Sequence, residues 1–202
     1  TTLTPLEQAR FNMIEQQIRP WDVLDPEVLA LLSVAKREDF VPLAHKALAF
    51  VDMELPLPEG ECMLAPRVEA RLLQALQVQK TDKVLEIGAG SGYMAALLAH
   101  RAQRVISLEI KPALAQLARA NLQQAGITNA EVREADGAKD VSVDGPFDVI
   151  LLSGSVAEVP QALLAQLKTG GRLAAIVGAE PMMRATFVTR TGEASYTTNQ
   201  PW

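Results

Sequence analysis

Three glycines at alternate positions follow a short apolar run, and one acidic residue interrupts that run. The segment passes from Val84 through Glu86 to Gly88, Gly90 and Gly92. Glycine lacks a Cβ atom, so the backbone can approach a ligand closely at these positions. In an open parallel sheet, ligands bind at the carboxyl ends of the strands. The segment therefore predicts a ligand-binding turn between a strand and a helix.

The residues around the glycines indicate which ligand this turn would bind. A dinucleotide-binding fingerprint places its third glycine where this chain has Tyr93, which is too large for the close helix packing that the glycine allows. Glu86 would repel a pyrophosphate but attract a sulfonium and an ammonium group. We therefore predict S-adenosylmethionine rather than a nicotinamide dinucleotide as the cofactor. The residues expected to bind it in this segment are Glu86, Gly88, Ala89, Gly90, Gly92 and Tyr93.

Further polar residues follow the next predicted strands. Glu109 ends the second strand, about twenty residues beyond the glycines, where a carboxylate can accept hydrogen bonds from both ribose hydroxyls. Dehydrogenases also carry such an acid, so Glu109 alone does not distinguish the cofactors. Asp136 follows the third strand and could accept from the adenine amino group. The predicted cofactor residues of this second group are Glu109, Ile110, Asp136, Gly137 and Ser153.

An alternation of strands and helices would position these residues. Apolar strand patterns cover residues 84–87, 104–108, 130–133, 147–152 and 172–177, with helical patterns at 66–76, 92–100, 112–125 and 160–167. Such alternation predicts an α/β fold: a Rossmann-like, doubly wound and mainly parallel sheet with helices on both faces. Residues 186–189 and 195–198 are expected to form a closing antiparallel pair.

The first part of the chain lacks this alternation. Thr4, Pro5 and Glu7 form a capping-box pattern that begins a helix reaching about Ile18, and Asp25 begins a second helix. Residues 50–65 have little periodicity and are expected to be irregular and partly extended. We predict one domain over residues 1–202, with residues 1–65 as an N-terminal helical and irregular cap and residues 66–202 as the cofactor-binding core.

Charge and cysteine content disfavour several other classes of protein. The chain has 24 acidic and 19 basic residues, a net charge of −5, and its longest charged run, residues 36–39, neutralises itself. A nucleic-acid partner is therefore not expected. We find no signal peptide and no apolar stretch of membrane-spanning length, and Cys62 is the only cysteine, which favours a cytoplasmic location. His45 and His100 are too far apart in sequence to suggest a metal site. The oligomeric state is not indicated.

Several segments resemble the protein-L-isoaspartate O-methyltransferase family. Residues 13–18, 36–42, 52–57, 84–93, 146–150 and 160–173 are similar to its motifs, in the same order. The resemblance implies a class I methyltransferase fold and methyl transfer from S-adenosylmethionine to the carboxylate formed when asparagine or aspartate rearranges to isoaspartate. It also implies a protein or peptide partner that carries isoaspartyl residues, and a last strand that would finish beyond Trp202. Carried over by position, the implied cofactor residues are Gly88, Glu109, Asp136 and Gly137.

One position departs from the family pattern. The family carries a Thr-Ile-Ser-Gln-Pro segment whose serine is its active-site hydroxyl, and here Cys62 stands at the threonine and Leu64 at the serine. A leucine side chain has no hydrogen-bond donor or acceptor, so the Leu64 side chain cannot orient a substrate carboxylate. Three hypotheses stay open: altered isoaspartyl activity, a methyltransferase for another acceptor, or a cofactor-binding protein without turnover. The catalytic residue is not identified; Asp52 is a candidate base if the acceptor is an amine or a hydroxyl.

Overall fold

A seven-stranded sheet forms the centre of the protein in the computed structural model, which describes residues 2–137, 144–156, 158–179 and 182–202. Its strands, in chain order, are β3 (Lys83–Ile87), β4 (Arg104–Glu109), β5 (Ala130–Glu134), β6 (Phe147–Val156), β7 (Leu167–Ala179), β8 (Met182–Arg190) and β9 (Tyr196–Asn199). They lie in the order β5-β4-β3-β6-β7-β8-β9. The first five are parallel to one another, and β8 and β9 are antiparallel additions. The predicted sheet and its closing pair are confirmed.

Helices cover both faces of this sheet. They are α3 (Pro66–Leu76), α4 (Tyr93–Arg101), α5 (Pro112–Gln124) and the single turn α6 (Gln161–Leu164). Alternate residues of each strand enter two different apolar clusters, since successive side chains of a strand point to opposite faces. Val84 and Val149 join the cluster beneath α3, α4 and α5, whereas Leu85 and Ile150 join the one beneath α6. The apolar run in β6 is therefore buried on both sides, as its composition predicts.

The region after β6 differs from the prediction. A helix was expected over residues 160–167 and a turn at Gly170 and Gly171, but α6 ends at Leu164 and β7 begins at Leu167. The register of β6 against β7 shifts between Phe147 and Val149, so the two glycines form an irregularity inside the strand. A Cβ atom on Gly171 would lie 2.8 Å from the carbonyl oxygen of Lys168. The glycines therefore permit a close strand pairing.

The N-terminal region begins as predicted. Helix α1 (Pro5–Met13) has the capping box, since the Glu7 amide donates to the Thr4 hydroxyl and the Thr4 amide donates to the Glu7 carboxylate. Helical structure continues as a π turn over Ile14–Ile18 and then as a 3-10 turn over Arg19–Trp21, one turn beyond the expected end. Pro20 fits there because it lies at the start of the new turn, where a missing N–H costs little. Helix α2 (Pro26–Val34) follows, capped by Asp25.

The segment predicted to be irregular contains a small hairpin. Strands β1 (Leu55–Pro56) and β2 (Cys62–Met63) pair on either side of a turn at Pro58–Gly60. The turn lies against the glycine loop, because a Cβ atom on Gly90 would be 3.3 Å from the Leu57 side chain. Apolar residues of this region share one cluster with α3 and α4. The division of the domain at residue 65 stays a prediction. Within the described residues, every helix is too short or too polar to cross a bilayer.

Candidate functional site

A cleft of about 1000 Å³ opens at the carboxyl ends of β3, β4 and β6. We call it the large cleft. Parallel strands end at the same edge of a sheet, so residues distant in sequence meet there. The predicted site residues that line it are Asp52, Leu64, Gly88, Gly90, Glu109, Ile110, Asp136, Gly137 and Ser153. The structure thus brings nine of the sequence-predicted positions into one cavity.

The remaining predicted residues lie beneath the glycine loop. Glu86, Ala89 and Tyr93 line a small inner pocket of about 40 Å³, and Gly88, Gly90 and Ser153 line both cavities. Gly92 lies in neither. Its φ is +88°, and a Cβ atom there would be 3.1 Å from the Ala118 carbonyl oxygen on α5. The structure therefore gives Gly92 a packing role. That any of these residues binds the cofactor stays a prediction.

Glu109 fixes the glycine loop at the floor of the large cleft. Its carboxylate accepts from the backbone N–H of Gly90 and from that of Lys111, both at 3.2 Å. Gly88 and Gly90 have φ values of +92° and +54°, which suit residues without a side chain. The Gly88 N–H donates to the Leu108 carbonyl oxygen at 2.8 Å. One buried carboxylate thus holds the loop after β3 and the turn after β4 at the same place.

Glu86 is fully buried between two serine hydroxyls. Ser107 donates to one carboxylate oxygen at 2.7 Å and Ser153 donates to the other at 2.5 Å. Burial raises the pKa of Glu86 to about 7, and the two hydrogen bonds oppose that rise. Glu86 therefore does not line the large cleft itself and is connected to it by its hydrogen bond with Ser153, which does. Ser107 was not among the predicted site residues, although its position one strand away, in register with Glu86, follows from parallel pairing.

Asp136 and Gly137 close the far end of the cleft. Both line it directly after β5. A Cβ atom on Gly137 would lie 2.7 Å from the Ile87 side chain, so a larger residue would require that side chain to move. The two positions are therefore placed as expected from the strand order.

A buried ion pair that sequence reasoning missed connects the cap to this site. Arg37 is 1% exposed, pairs with Glu69 and donates to the Ala49 and Leu64 carbonyl oxygens at 2.8 and 3.1 Å. Its guanidinium lies 4.9 Å from the centroid of the Tyr93 ring. The run at residues 36–39 has no net charge, but two of its charged side chains, Arg37 and Glu38, pair with distant partners rather than with each other. Arg10, for example, pairs with Glu38.

A signal for this pair was present in the sequence. Glu69 lies on the buried stripe of α3, three, four and seven residues before apolar positions that are also buried, Leu72, Leu73 and Leu76. A charged residue on such a stripe must find a partner inside the protein, since an unpaired buried charge is costly. The stripe predicts that a partner exists, but helical spacing alone does not identify it.

The position that departs from the family pattern lies in the same cleft. Leu64 lines it together with Cys62 and Asp52. The Cys62 thiol donates to Glu54 at 2.8 Å, and desolvation together with this hydrogen bond raises its pKa to about 12, which favours the thiol over the thiolate. Asp52 accepts from Arg67 at 3.0 Å. Within the described ranges, we find no group of three His, Cys, Asp or Glu residues that could hold a metal ion.

Comparison with known proteins is consistent with this geometry. The family model for protein-L-isoaspartate(D-aspartate) O-methyltransferase matches residues 8–201. A protein-L-isoaspartate O-methyltransferase of Koribacter versatilis is 40% identical over 188 residues, which are 93% of this chain and 84% of that protein. One from Methanoculleus marisnigri is 41% identical over 174 residues, covering 86% of this chain and 79% of the other. The sequence similarity therefore spans almost the whole length.

Solved structures show the same fold. A Plasmodium falciparum chain assigned to this enzyme class, solved with S-adenosyl-L-homocysteine, superposes with a TM-score of 0.79 at 17% identity and covers 98% of this chain and 94% of its own. Another protein-L-isoaspartate O-methyltransferase gives a TM-score of 0.78 at 24% identity, covering 96% of this chain and 62% of that one. The predicted class I methyltransferase fold is confirmed. The chain belongs to the protein-L-isoaspartate(D-aspartate) O-methyltransferase family, a family of S-adenosylmethionine-dependent methyltransferases.

Proposed function

We propose that this protein transfers the methyl group of S-adenosylmethionine to the free carboxylate of isoaspartyl residues in proteins and peptides. The observation that carries the proposal is the large cleft. It joins Gly88, Gly90 and Glu109 to the family's acceptor position, here Leu64, in one cavity. Membership in the family supports the same activity.

In this proposal, the cofactor lies along the predicted residues of the cleft. Glu109 accepts hydrogen bonds from the ribose hydroxyls, and Asp136 accepts from the adenine amino group. The backbone of Gly88 and Gly90 borders the methionine part, whose positive groups face Ser153 and, behind it, Glu86. An added cation near Glu86 favours its ionised form, so a bound cofactor offsets part of the pKa rise that burial causes.

The reaction needs no general base in this site. The cofactor supplies an electrophilic methyl group on a sulfonium; the acceptor carboxylate forms the new C–O bond as the C–S bond breaks. The products are a methyl ester and the neutral thioether, so no proton moves. A carboxylate is already ionised at neutral pH. The cleft residues therefore act by holding the two reactants in line and by excluding water.

Titration with S-adenosylhomocysteine and with NAD tests the cofactor first. Calorimetry is expected to show binding of S-adenosylhomocysteine and none of NAD. Transfer of labelled methyl to an isoaspartyl peptide, compared with the same peptide carrying ordinary aspartate, then tests the acceptor. Failure to bind S-adenosylhomocysteine would refute the cofactor assignment, and binding without transfer to the isoaspartyl peptide would leave a different acceptor as the alternative.

Leu64 is the observation that favours that alternative. If the family activity is limited by the missing hydroxyl, Leu64→Ser is expected to raise kcat/KM for the isoaspartyl peptide by about tenfold, the value of one hydrogen bond to a charged group. Leu64→Ala is the matched control, because it removes the same side chain without adding a hydroxyl. Equal effects of both substitutions, or no effect of Leu64→Ser, would show that the absent serine does not limit transfer.

We also propose a cytoplasmic location and a single domain with residues 1–65 as its cap. One cysteine within these 202 residues, exposed and unpaired, supports a reducing compartment. Shared burial of cap residues with α3 and α4 supports the cap assignment.

A further inference from the structure

Arg67 brings a positive charge to the acceptor end of the large cleft. It lies on the first turn of α3, three residues after Leu64, and both line the cleft. Among the described residues that line the cleft, Arg67 is the one Lys, Arg or His. Five carboxylates line the same cavity: Asp52, Glu54, Glu61, Glu109 and Asp136. Lys111 pairs with Glu61, but among the described residues that line the cleft Arg67 carries the one positive charge that could attract a negatively charged acceptor.

Contacts hold the Arg67 guanidinium in a defined orientation. Its centre lies 4.8 Å from the centroid of the Trp21 ring, within the range of a cation–π contact. Nη1 donates to Asp52 at 3.0 Å, and Nε has no partner within the described part of the chain. The guanidinium is thus positioned by an aromatic face, while most of its donors are not used by the protein.

The ion pair between Arg67 and Asp52 is exposed enough to exchange. The two side chains are 40% and 31% exposed, and pairs of this kind contribute little to stability because water screens them. Asp52 presents to Arg67 the same group that an acceptor would present, a carboxylate on a short aliphatic stem. An incoming carboxylate can replace Asp52 on Arg67 without loss of hydrogen bonds to the guanidinium.

We propose that Arg67 binds the acceptor carboxylate in place of the missing serine, and that Asp52 occupies this position until the acceptor arrives. The inference deepens the proposed function and rests on it for the identity of the acceptor. Arginine suits the task because its planar fork matches a carboxylate with two parallel hydrogen bonds. Asp52 then acts as an internal competitor for Arg67 rather than as a base.

The test combines turnover with direct binding. In the complex with S-adenosylhomocysteine, fluorescence anisotropy measures binding of a dye-labelled isoaspartyl peptide and of the matching isoasparaginyl peptide, whose carboxylate is an amide. Arg67→Gln is expected to weaken binding of the first peptide about tenfold or more and to leave the second unchanged. The same substitution should raise KM more than it lowers kcat. Arg67→Lys should restore part of the loss, since lysine keeps the charge but not the fork.

Asp52→Asn should have the opposite effect. Removing the competing carboxylate is expected to tighten peptide binding several-fold, and the gain should disappear when Arg67→Gln is present in the same protein. The matched control is Arg71→Gln. Arg71 lies one turn further along α3 and also contacts the Trp21 ring, at 5.0 Å, as well as the Trp202 ring at 4.7 Å, but it does not line the cleft. Its replacement should change peptide affinity less than twofold.

Each result decides between the inference and the proposed function. Four results would overturn the role of Arg67. Arg67→Gln could weaken the binding of both peptides equally or leave the affinity for the isoaspartyl peptide unchanged. Arg71→Gln could weaken that affinity as much as Arg67→Gln does, or the wild-type complex could fail to bind the isoaspartyl peptide. Binding that depends on Arg67 without methyl transfer refutes the isoaspartyl activity alone. Transfer that is unaffected by Arg67→Gln refutes the inference alone.

Discussion

Replacing Glu69 by alanine is expected to lower the free energy of unfolding by about 3–5 kcal/mol, the usual cost of leaving one member of a buried ion pair without its partner. Arg37 is 1% exposed, and its guanidinium would stay inside the protein with hydrogen bonds to two carbonyl oxygens and a contact with the Tyr93 ring, but without a carboxylate partner. Neither oxygen compensates a full positive charge. The position of Leu64, whose carbonyl oxygen accepts from Arg37, would be disturbed at the same time.

Urea unfolding followed by circular dichroism measures this loss, and two variants control it. Removing the exposed pair between Glu15 and Arg19 by Glu15→Ala should cost less than about 1 kcal/mol, because that pair is solvated. Replacing both Arg37 and Glu69 by methionine should restore much of the stability that Glu69→Ala loses, since no unpaired charge remains. A cost for Glu69→Ala similar to that of Glu15→Ala would mean that Arg37 is not held as the structure places it.

The sheet could be predicted because its strands obey local rules. β3 and β6 are apolar runs, β4 ends at Glu109, and each is separated from the next by a helical pattern. The region after β6 could not be predicted, because two consecutive glycines such as Gly170 and Gly171 are typical of a turn. They form a strand irregularity only because β6 approaches them through space. The sequence shows where such glycines are, but not which strand packs closely against them in the fold.

The site divides in the same way. Gly88, Glu109 and Asp136 were predicted together because parallel topology brings strand ends to one edge. Arg37 and Glu69 lie 32 residues apart and meet only through the packing of the cap on α3. Arg67 was likewise not identified, because its importance depends on the cavity that it lines and on Trp21 behind it. Local rules thus locate the cofactor end of the cleft better than the acceptor end.

Replacing Glu109 by alanine is expected to weaken S-adenosylhomocysteine binding by about 10- to 100-fold, from the loss of roughly 1.5–3 kcal/mol in charge-assisted hydrogen bonds. Two effects act together. The variant loses the acceptor that we assign to the ribose hydroxyls, and it frees the Gly90 amide that Glu109 now holds at 3.2 Å. The glycine loop would then be ordered only when cofactor binds, which adds to the loss of affinity.

Glu134 offers a matched control for this measurement. It pairs in register with Glu109 on the neighbouring strand, but it is exposed, contacts Arg119 and does not line the large cleft. Calorimetry should therefore find Glu134→Ala within about twofold of the wild-type affinity, because exposed pairs contribute little. Thermal unfolding of both cofactor-free variants separates lost binding from lost folding. If a folded Glu109→Ala protein binds S-adenosylhomocysteine as tightly as the wild type does, Glu109 does not bind the cofactor. Another acidic residue would then have to accept the hydrogen bonds of the ribose hydroxyls.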